Sequence, residues 1–164
     1  MILPAGMILL ALALSGCGGY SNETLFPENI DSVRLEMFDN RSFRRGVEYE
    51  LSDALAKRIE VETPYKIVSD KDRSDSVISG QLVTIREASL TIDRDVAQPL
   101  EREVILTAVV TWKNLNTGQL MINSKTVTAA ASYSEFQNQD FSYASALAAN
   151  KLARRIVELM ENNW

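Results

Sequence analysis

The chain has 164 residues, 46% apolar and 24% charged, with 17 Lys and Arg against 22 Asp and Glu for a net charge of −5. It contains no His and a single Cys, which removes the commonest general base, the serine triad and the usual metal ligand, and excludes an intrachain disulfide. The acidic balance excludes a global basic field for nucleic acid, and the length fits one domain with its own core. Residues 1–16 form an uncharged apolar run. As a helix it would reach about 24 Å, short of a hydrocarbon core of about 30 Å, so a cleaved signal peptide is favoured over a permanent membrane span.

The run ends in Leu14-Ser15-Gly16-Cys17, which resembles the bacterial lipobox. The resemblance implies cleavage between Gly16 and Cys17, with Cys17 acylated on its sulfur and its new amine. The absence of Lys or Arg before the run departs from the usual signal pattern. Gly18 after the Cys resembles lipoproteins sorted to the outer membrane. Residues 17–29, with Gly18, Gly19 and Pro27, read as a lipidated polar tether, and residues 30–164 as the folded domain.

Residues 32–38 alternate, with Val33, Leu35 and Met37 opposite Arg34 and Glu36, as in a half-buried strand. Asp39-Asn40-Arg41 reads as a turn. Val47, Leu51, Leu55 and Ile59, with Ala54, predict an amphipathic helix over 44–61, with Lys57 and Arg58 in its last turn. Thr63-Pro64 stops it. A short strand over 65–68 completes a unit suited to a right-handed βαβ crossover. Residues 77–90 predict a long strand, with Gly80 at a bulge or bend. Residues 91–100 read as a loop. Residues 103–112 place Val104, Leu106, Ala108, Val110 and Trp112 on one face, as in a central strand. Residues 114–118 turn the chain into a hairpin strand over 119–131. A helix over 143–162 follows, capped by Asp140 or Ser142, with Leu147, Leu152, Ile156 and Leu159 as its buried stripe. The expectation is an α+β fold: two helices on a mixed four- to five-stranded sheet, ordered β-α-β-β-β-β-α.

No nucleophile elbow, phosphate-cradling loop or Cys/His metal spacing occurs, so neither an enzyme nor a cofactor is expected. Asp70/Asp72 and Asp93/Asp95 read as solvated loops, with a weak Ca²⁺ contact as the alternative. Tyr133, Phe136, Phe141 and Tyr143 flank a loop that they either pack on the core or present to a partner. Arg86, Arg94, Arg102, Lys113 and Lys125 alternate with acids on the long hairpins. Converging at one end, they could meet an anionic glycolipid.

The lipobox with Gly18-Gly19-Tyr20, the strand Ser32-Val33-Arg34-Leu35-Glu36-Met37-Phe38 running into Asp39-Asn40-Arg41, the following helix and Ser76-Val77-Ile78-Ser79-Gly80 together resemble the LptE-like lipopolysaccharide-assembly lipoproteins. Phe38-Asp39-Asn40-Arg41 before a helix that ends Glu60-Val61-Glu62-Thr63-Pro64-Tyr65 looks like the version from deep-branching Gram-negative groups. The resemblance implies a non-enzymatic protein, anchored by lipid on the periplasmic side of the outer membrane. It would plug and stabilise an LptD-like β-barrel translocon and contact lipopolysaccharide. A different class, a periplasmic lipoprotein regulator of a cell-wall or polysaccharide-export enzyme, would share the anchor and the acidic balance.

Overall fold

A computed structural model of the chain describes residues 25–92 and 99–161. Cys17 and Gly16, Asp93, Arg94 and Asp95, and most of the tether and of the 91–100 loop lie outside the described residues. The elements are β1 (Ser32–Leu35), β2 (Asp39–Asn40), α1 (Val47–Glu62), β3 (Lys66–Ile67), β4 (Ser76–Ile92), β5 (Pro99–Asn114), β6 (Leu120–Tyr133) and α2 (Phe141–Glu158). They form one six-stranded mixed sheet in the order β3-β1-β4-β5-β6, with β2 pairing β4 beyond the end of β1. β1 runs parallel to β3, as the strand–helix–strand spacing predicts, and also parallel to β4. β4, β5 and β6 form an antiparallel meander. The two helices pack on each other, and α2 also packs on β5 and β6.

The alternation on β5 is realised. Val104, Leu106, Ala108, Val110 and Trp112 are buried toward the helices, while Ile105, Thr107, Val109 and Thr111 are half-buried on the other face. α1 buries Val47, Leu51, Ala54, Leu55 and Ile59. On α2 the small residues Ala144, Ala148, Ala149 and Ala153 are buried beside Leu152 and Ile156, so the helix backbone lies close to its neighbours. Asp140 Oδ1 accepts the Tyr143 N–H at 2.9 Å, an N-cap. Asn114 Oδ1 accepts the N–H groups of Asn116 and Thr117 at 2.9 and 3.0 Å, and Gly118 takes φ +75°, so the turn forms as read.

Several expectations are corrected. Asp39-Asn40 is a strand pairing in parallel with Gln81 and Leu82, not a simple turn. The bulge on β4 falls at Val83, between the pairs Leu82↔Ala108 and Thr84↔Thr107. Gly80 serves a different purpose: a Cβ there would stand 2.4 Å from Phe38 Cε1 and 2.6 Å from the Val109 carbonyl oxygen. The missing side chain makes room for the buried Phe38 ring. Leu147 is exposed and Val157 is buried in its place. α1 runs on to Glu62, so Lys57 and Arg58 stand before the last turn and pair with Asp53 and Glu62 one helical turn away.

Before β1, Phe26 and Ile30 are buried. Phe26 meets the Tyr65 ring edge-on at 5.8 Å, and Tyr65 meets Trp112 at 5.8 Å. The Tyr65 hydroxyl donates to the Pro27 carbonyl at 3.2 Å, and burial pushes that phenol well above its ordinary pKa. The start of β1 is pinned by Asp75. Its Oδ2 accepts from the Ser32 N–H and Oγ at 2.9 and 2.6 Å, and its Oδ1 from Asn116 Nδ2 at 3.1 Å. On β6, Lys151 donates to the Ala130 carbonyl at 3.0 Å and Arg155 to the Thr128 carbonyl.

Candidate functional site

A polar cluster centred on Glu87 forms on the β4–β5 hairpin. The bulge at Val83 shifts the face of the β4 residues from Thr84 to Ser89, which sets Glu87 opposite the inward-facing Val104. Arg102 pairs with Ser89 and Tyr133 in the same inner row. Glu87 Oε1 accepts the Tyr133 hydroxyl at 2.6 Å and Arg102 Nη1 at 3.1 Å. Its Oε2 accepts Arg44 Nη2 at 3.0 Å, and Arg102 also pairs with Glu135 at 3.5 Å. The Arg44 guanidinium lies over the Phe141 ring, 3.8 Å from its centroid, a cation–π contact at the start of α2.

The hydrogen bond from Tyr133 and the guanidinium of Arg102 hold the Glu87 carboxyl below its ordinary 4.5, against the opposing effect of burial. Burial and the same carboxylate push the Tyr133 phenol up. An ionised acid held by three donors is a structural lock. It ties the projecting hairpin to the loop before α1 and to the start of α2.

The loop before α1 is organised by Asn40. Its Nδ2 donates to the Arg44 carbonyl at 2.7 Å and to Glu48 Oε2 at 2.6 Å, and its Oδ1 accepts the Ser42 N–H at 2.8 Å. Glu48 also accepts the Gly46 N–H at 2.9 Å, where Gly46 takes φ +103°. Burial pushes the Glu48 carboxyl up, but hydrogen bonds from Asn40 and nearby backbone outweigh it and leave the group lowered. This network displays Phe43 fully to solvent. Phe136 is 72% exposed and Tyr143 50% exposed, while Tyr133 is buried and Phe141 half-buried. The four aromatics anticipated around the last loop thus divide, two inward and two outward.

Among the described residues the basic candidates are not gathered at one end. Arg86 pairs with Ile105 on the face away from the helices. Arg102 sits in the Glu87 cluster on the opposite face. Lys113 pairs with Val77, eleven positions along β5 from Arg102, or about 36 Å at 3.3 Å per residue. Lys125 pairs with Val110 on β6. Asp70 caps a short 3-10 turn by accepting the Asp72 N–H at 3.0 Å. Among the described residues no group of three or more acidic or thiol side chains could hold a metal ion, and no helix is long and apolar enough to cross a membrane.

Arg44 and Glu87 were not singled out from the sequence. Their roles depend on the bulge at Val83 and on a contact across 43 positions, neither of which local periodicity reports. A signal does exist in retrospect: an acid on a strand after a one-residue slip belongs to the inward row.

No curated protein matches the sequence. Solved structures share the fold at low identity. A hypothetical protein from Chlamydia trachomatis aligns with TM-score 0.56 and 10% identity over 79% of this chain and 94% of that one. An uncharacterised lipoprotein B from Nitrosomonas europaea aligns with TM-score 0.56 and 12% identity over 85% and 88%. The PelC dodecamer protein from Paraburkholderia phytofirmans aligns with TM-score 0.52 and 13% identity over 85% and 96%. The family described as LptE, lipopolysaccharide-assembly, matches residues 30–163, which include every strand and both helices; the chain belongs to the LptE family of lipopolysaccharide-assembly proteins.

Proposed function

We propose that this chain is a non-catalytic lipoprotein of the outer membrane, held on the periplasmic side by acyl chains on Cys17 after cleavage behind Gly16. There it plugs and stabilises an LptD-like β-barrel translocon and contacts lipopolysaccharide in transit. The family match over residues 30–163 carries this reading. Two features of the fold support it. Barrels with many strands enclose an open lumen, and a rigid domain with a projecting, locked hairpin is a physically suitable filler. The exposed aromatics Phe43, Phe136 and Tyr143 suit a protein–protein contact, where aromatic side chains are enriched.

Lipopolysaccharide contact is assigned to Arg86, Arg94, Arg102, Lys113 and Lys125, whose charges complement phosphate. Arg86, Arg102, Lys113 and Lys125 are spread along the sheet, so each acts singly, and Arg102 must exchange its carboxylate partners to take part. No cofactor is invoked. The test is capture of the lipidated protein from native membranes after crosslinking in cells. An outer-membrane barrel is the expected partner, and its consistent absence removes the proposal. Depletion separates the classes: lost surface display of lipopolysaccharide fits the translocon role, whereas altered wall growth with normal display fits a regulator of a cell-wall enzyme.

A further inference from the structure

We infer that the groove between the outer edge of β6 and the exposed side of α2, carrying Lys151, Arg154 and Arg155, binds the phosphate monoester of a lipid, whose apolar part lies toward Leu147 and Tyr143. This assignment rests on the proposed contact with lipopolysaccharide and gives it a site apart from the five scattered cations.

Among the described residues β6 ends the sheet, so one side of its backbone has no neighbouring strand. Thr128, Ala129, Ala130, Lys151, Arg154 and Arg155 line a groove along that edge. Two of the three cations are set in place by the strand itself. Lys151 donates to the Ala130 carbonyl at 3.0 Å, and Arg155 donates to the Thr128 carbonyl. Four helical residues rise about 6 Å and two strand residues about 6.8 Å. Side chains one turn apart on α2 therefore meet successive outward carbonyls of β6. Each carbonyl engages one N–H, whereas an ammonium has three donors and a guanidinium five. Both groups keep donors for an anion, and their long stems are already ordered.

The groove is locally positive in a chain of net charge −5. β6 contains no acid, and α2 contains one, Glu158, which pairs with Arg154 at 3.4 Å. The neighbouring acids lie elsewhere. Glu103, opposite Ser132, is on the sheet face away from the helices. Asp140 caps the far end of α2, and Glu50 accepts the Ser145 hydroxyl where the two helices meet. Glu161 follows the end of α2 and is half-buried. Lys125, opposite the inward-facing Val110, stands in the β6 row on the helix side and adds a further cation. Set against Glu158, the three groove cations leave two positive charges in excess. A phosphate monoester carries about −1.5 to −2 at neutral pH and three acceptor oxygens, and a guanidinium fork matches its geometry. A phosphodiester carries a single charge and answers this excess less well.

The same side of α2 turns apolar toward its start. Leu147 is 38% exposed and Tyr143 is 50% exposed, one and two turns before Lys151. Spacing by four keeps the three in one stripe. A ligand with its phosphate among the cations thus meets apolar surface about 6–12 Å along the helix. That arrangement suits a phosphorylated lipid over free phosphate.

The test uses the full, lipidated protein in neutral detergent, with binding of fluorescent lipopolysaccharide read by anisotropy. The competitors are unlabelled lipopolysaccharide, the same material stripped of phosphate, phosphatidylglycerol and inorganic phosphate. Lys151→Gln combined with Arg155→Gln keeps an amide donor for each carbonyl and is expected to weaken binding about tenfold. Lys151→Arg combined with Arg155→Lys keeps both charges and should recover most of that loss. Because the neutral pair can loosen β6, Arg154→Gln serves as a second probe. It leaves both carbonyl contacts in place and should weaken binding about threefold. Stripped lipopolysaccharide should compete about tenfold less well than intact material, and inorganic phosphate and phosphatidylglycerol less well again. Unchanged affinity in the groove variants, or loss confined to Arg86→Gln or Lys113→Gln, overturns the groove while the lipopolysaccharide reading stands. Equal competition by stripped material overturns phosphate recognition. Competition by inorganic phosphate or phosphatidylglycerol as strong as by intact lipopolysaccharide overturns the monoester-bearing lipid as the occupant. A parent protein that binds no lipopolysaccharide overturns the underlying reading and the site with it.

Discussion

Gly80→Ala tests the packing logic of the sheet most directly. The new Cβ would stand 2.4 Å from Phe38 Cε1 and 2.6 Å from the Val109 carbonyl oxygen. Ordinary contact begins near 3.4 Å, so the ring must retreat by about 1 Å inside a close-packed core. The carbonyl belongs to β5, which is held on both sides by β4 and β6 and cannot yield as a side chain does. Overpacking costs roughly 1–3 kcal/mol, and the lower unfolded-state entropy of Ala returns about 0.5–1 kcal/mol. With a backbone atom among the clashes, we expect a net loss of about 2 kcal/mol, or a fall in melting temperature of roughly 7 °C for a domain of this size. Thermal unfolding by circular dichroism reads this. Phe38→Leu provides the internal control: it removes the ring contact and leaves the carbonyl contact. In that background the Gly80→Ala penalty should shrink by about 1 kcal/mol, a coupling typical of touching residues. An unchanged melting temperature for Gly80→Ala, or equal penalties in both backgrounds, would refute the assignment of Gly80 as the space for Phe38.

Three further outcomes are expected. Glu87 has a folded pKa below its ordinary 4.5; its stabilising effect is therefore complete above that value and is lost as pH falls through the lower folded pKa. Glu87→Gln should destabilise by about 1–2 kcal/mol at pH 7 and much less at pH 3, since a partly exposed charged cluster is screened by solvent; denaturant titrations at the two pH values check this, and an equal loss at both would contradict the charge-based account. Asp75→Ala strips Ser32 and Asn116 of their acceptor and should cost about 2 kcal/mol, with faster amide exchange at Ser32; unaltered exchange there would show that Asp75 does not pin β1. Asp140→Ala removes the cap of α2 and should cost about 1 kcal/mol; urea denaturation reads it, and Asp140→Asn, which keeps an acceptor oxygen, should recover most of the loss.

Strict alternation made β5 readable, because a strand inside a meander with helices on one face must sort its residues by twos, and Val104 through Trp112 do so without interruption. The helix carrying Leu51, Leu55 and Ile59 was readable for the same reason at a different period. Phe26 was not, because an aromatic in a polar stretch looks like tether until Tyr65 and Trp112 are seen to receive it. The α2 stripe was misjudged at Leu147 because alanines, not leucines, occupy the closest approach. The cluster around Glu87 was hidden by the extra residue at Val83, which moves an acid from the outer row to the inner one. The basic candidates could be named from the sequence, but their separation along the strands could not, since pairing register decides which cations become neighbours.

The hydrogen bonds from Lys151 and Arg155 to the outer carbonyls of Ala130 and Thr128 bear on crowding. A row of free acceptors along the last strand would invite another chain to continue the sheet. Here two long cationic side chains reach across from the neighbouring helix and occupy acceptors that an incoming strand would need. They also place positive charge where a second identical edge would approach with its own. If the proposed acylation concentrates these molecules in the plane of a membrane, they collide along this border without templating one another, which keeps a β-rich domain individually folded at high local density.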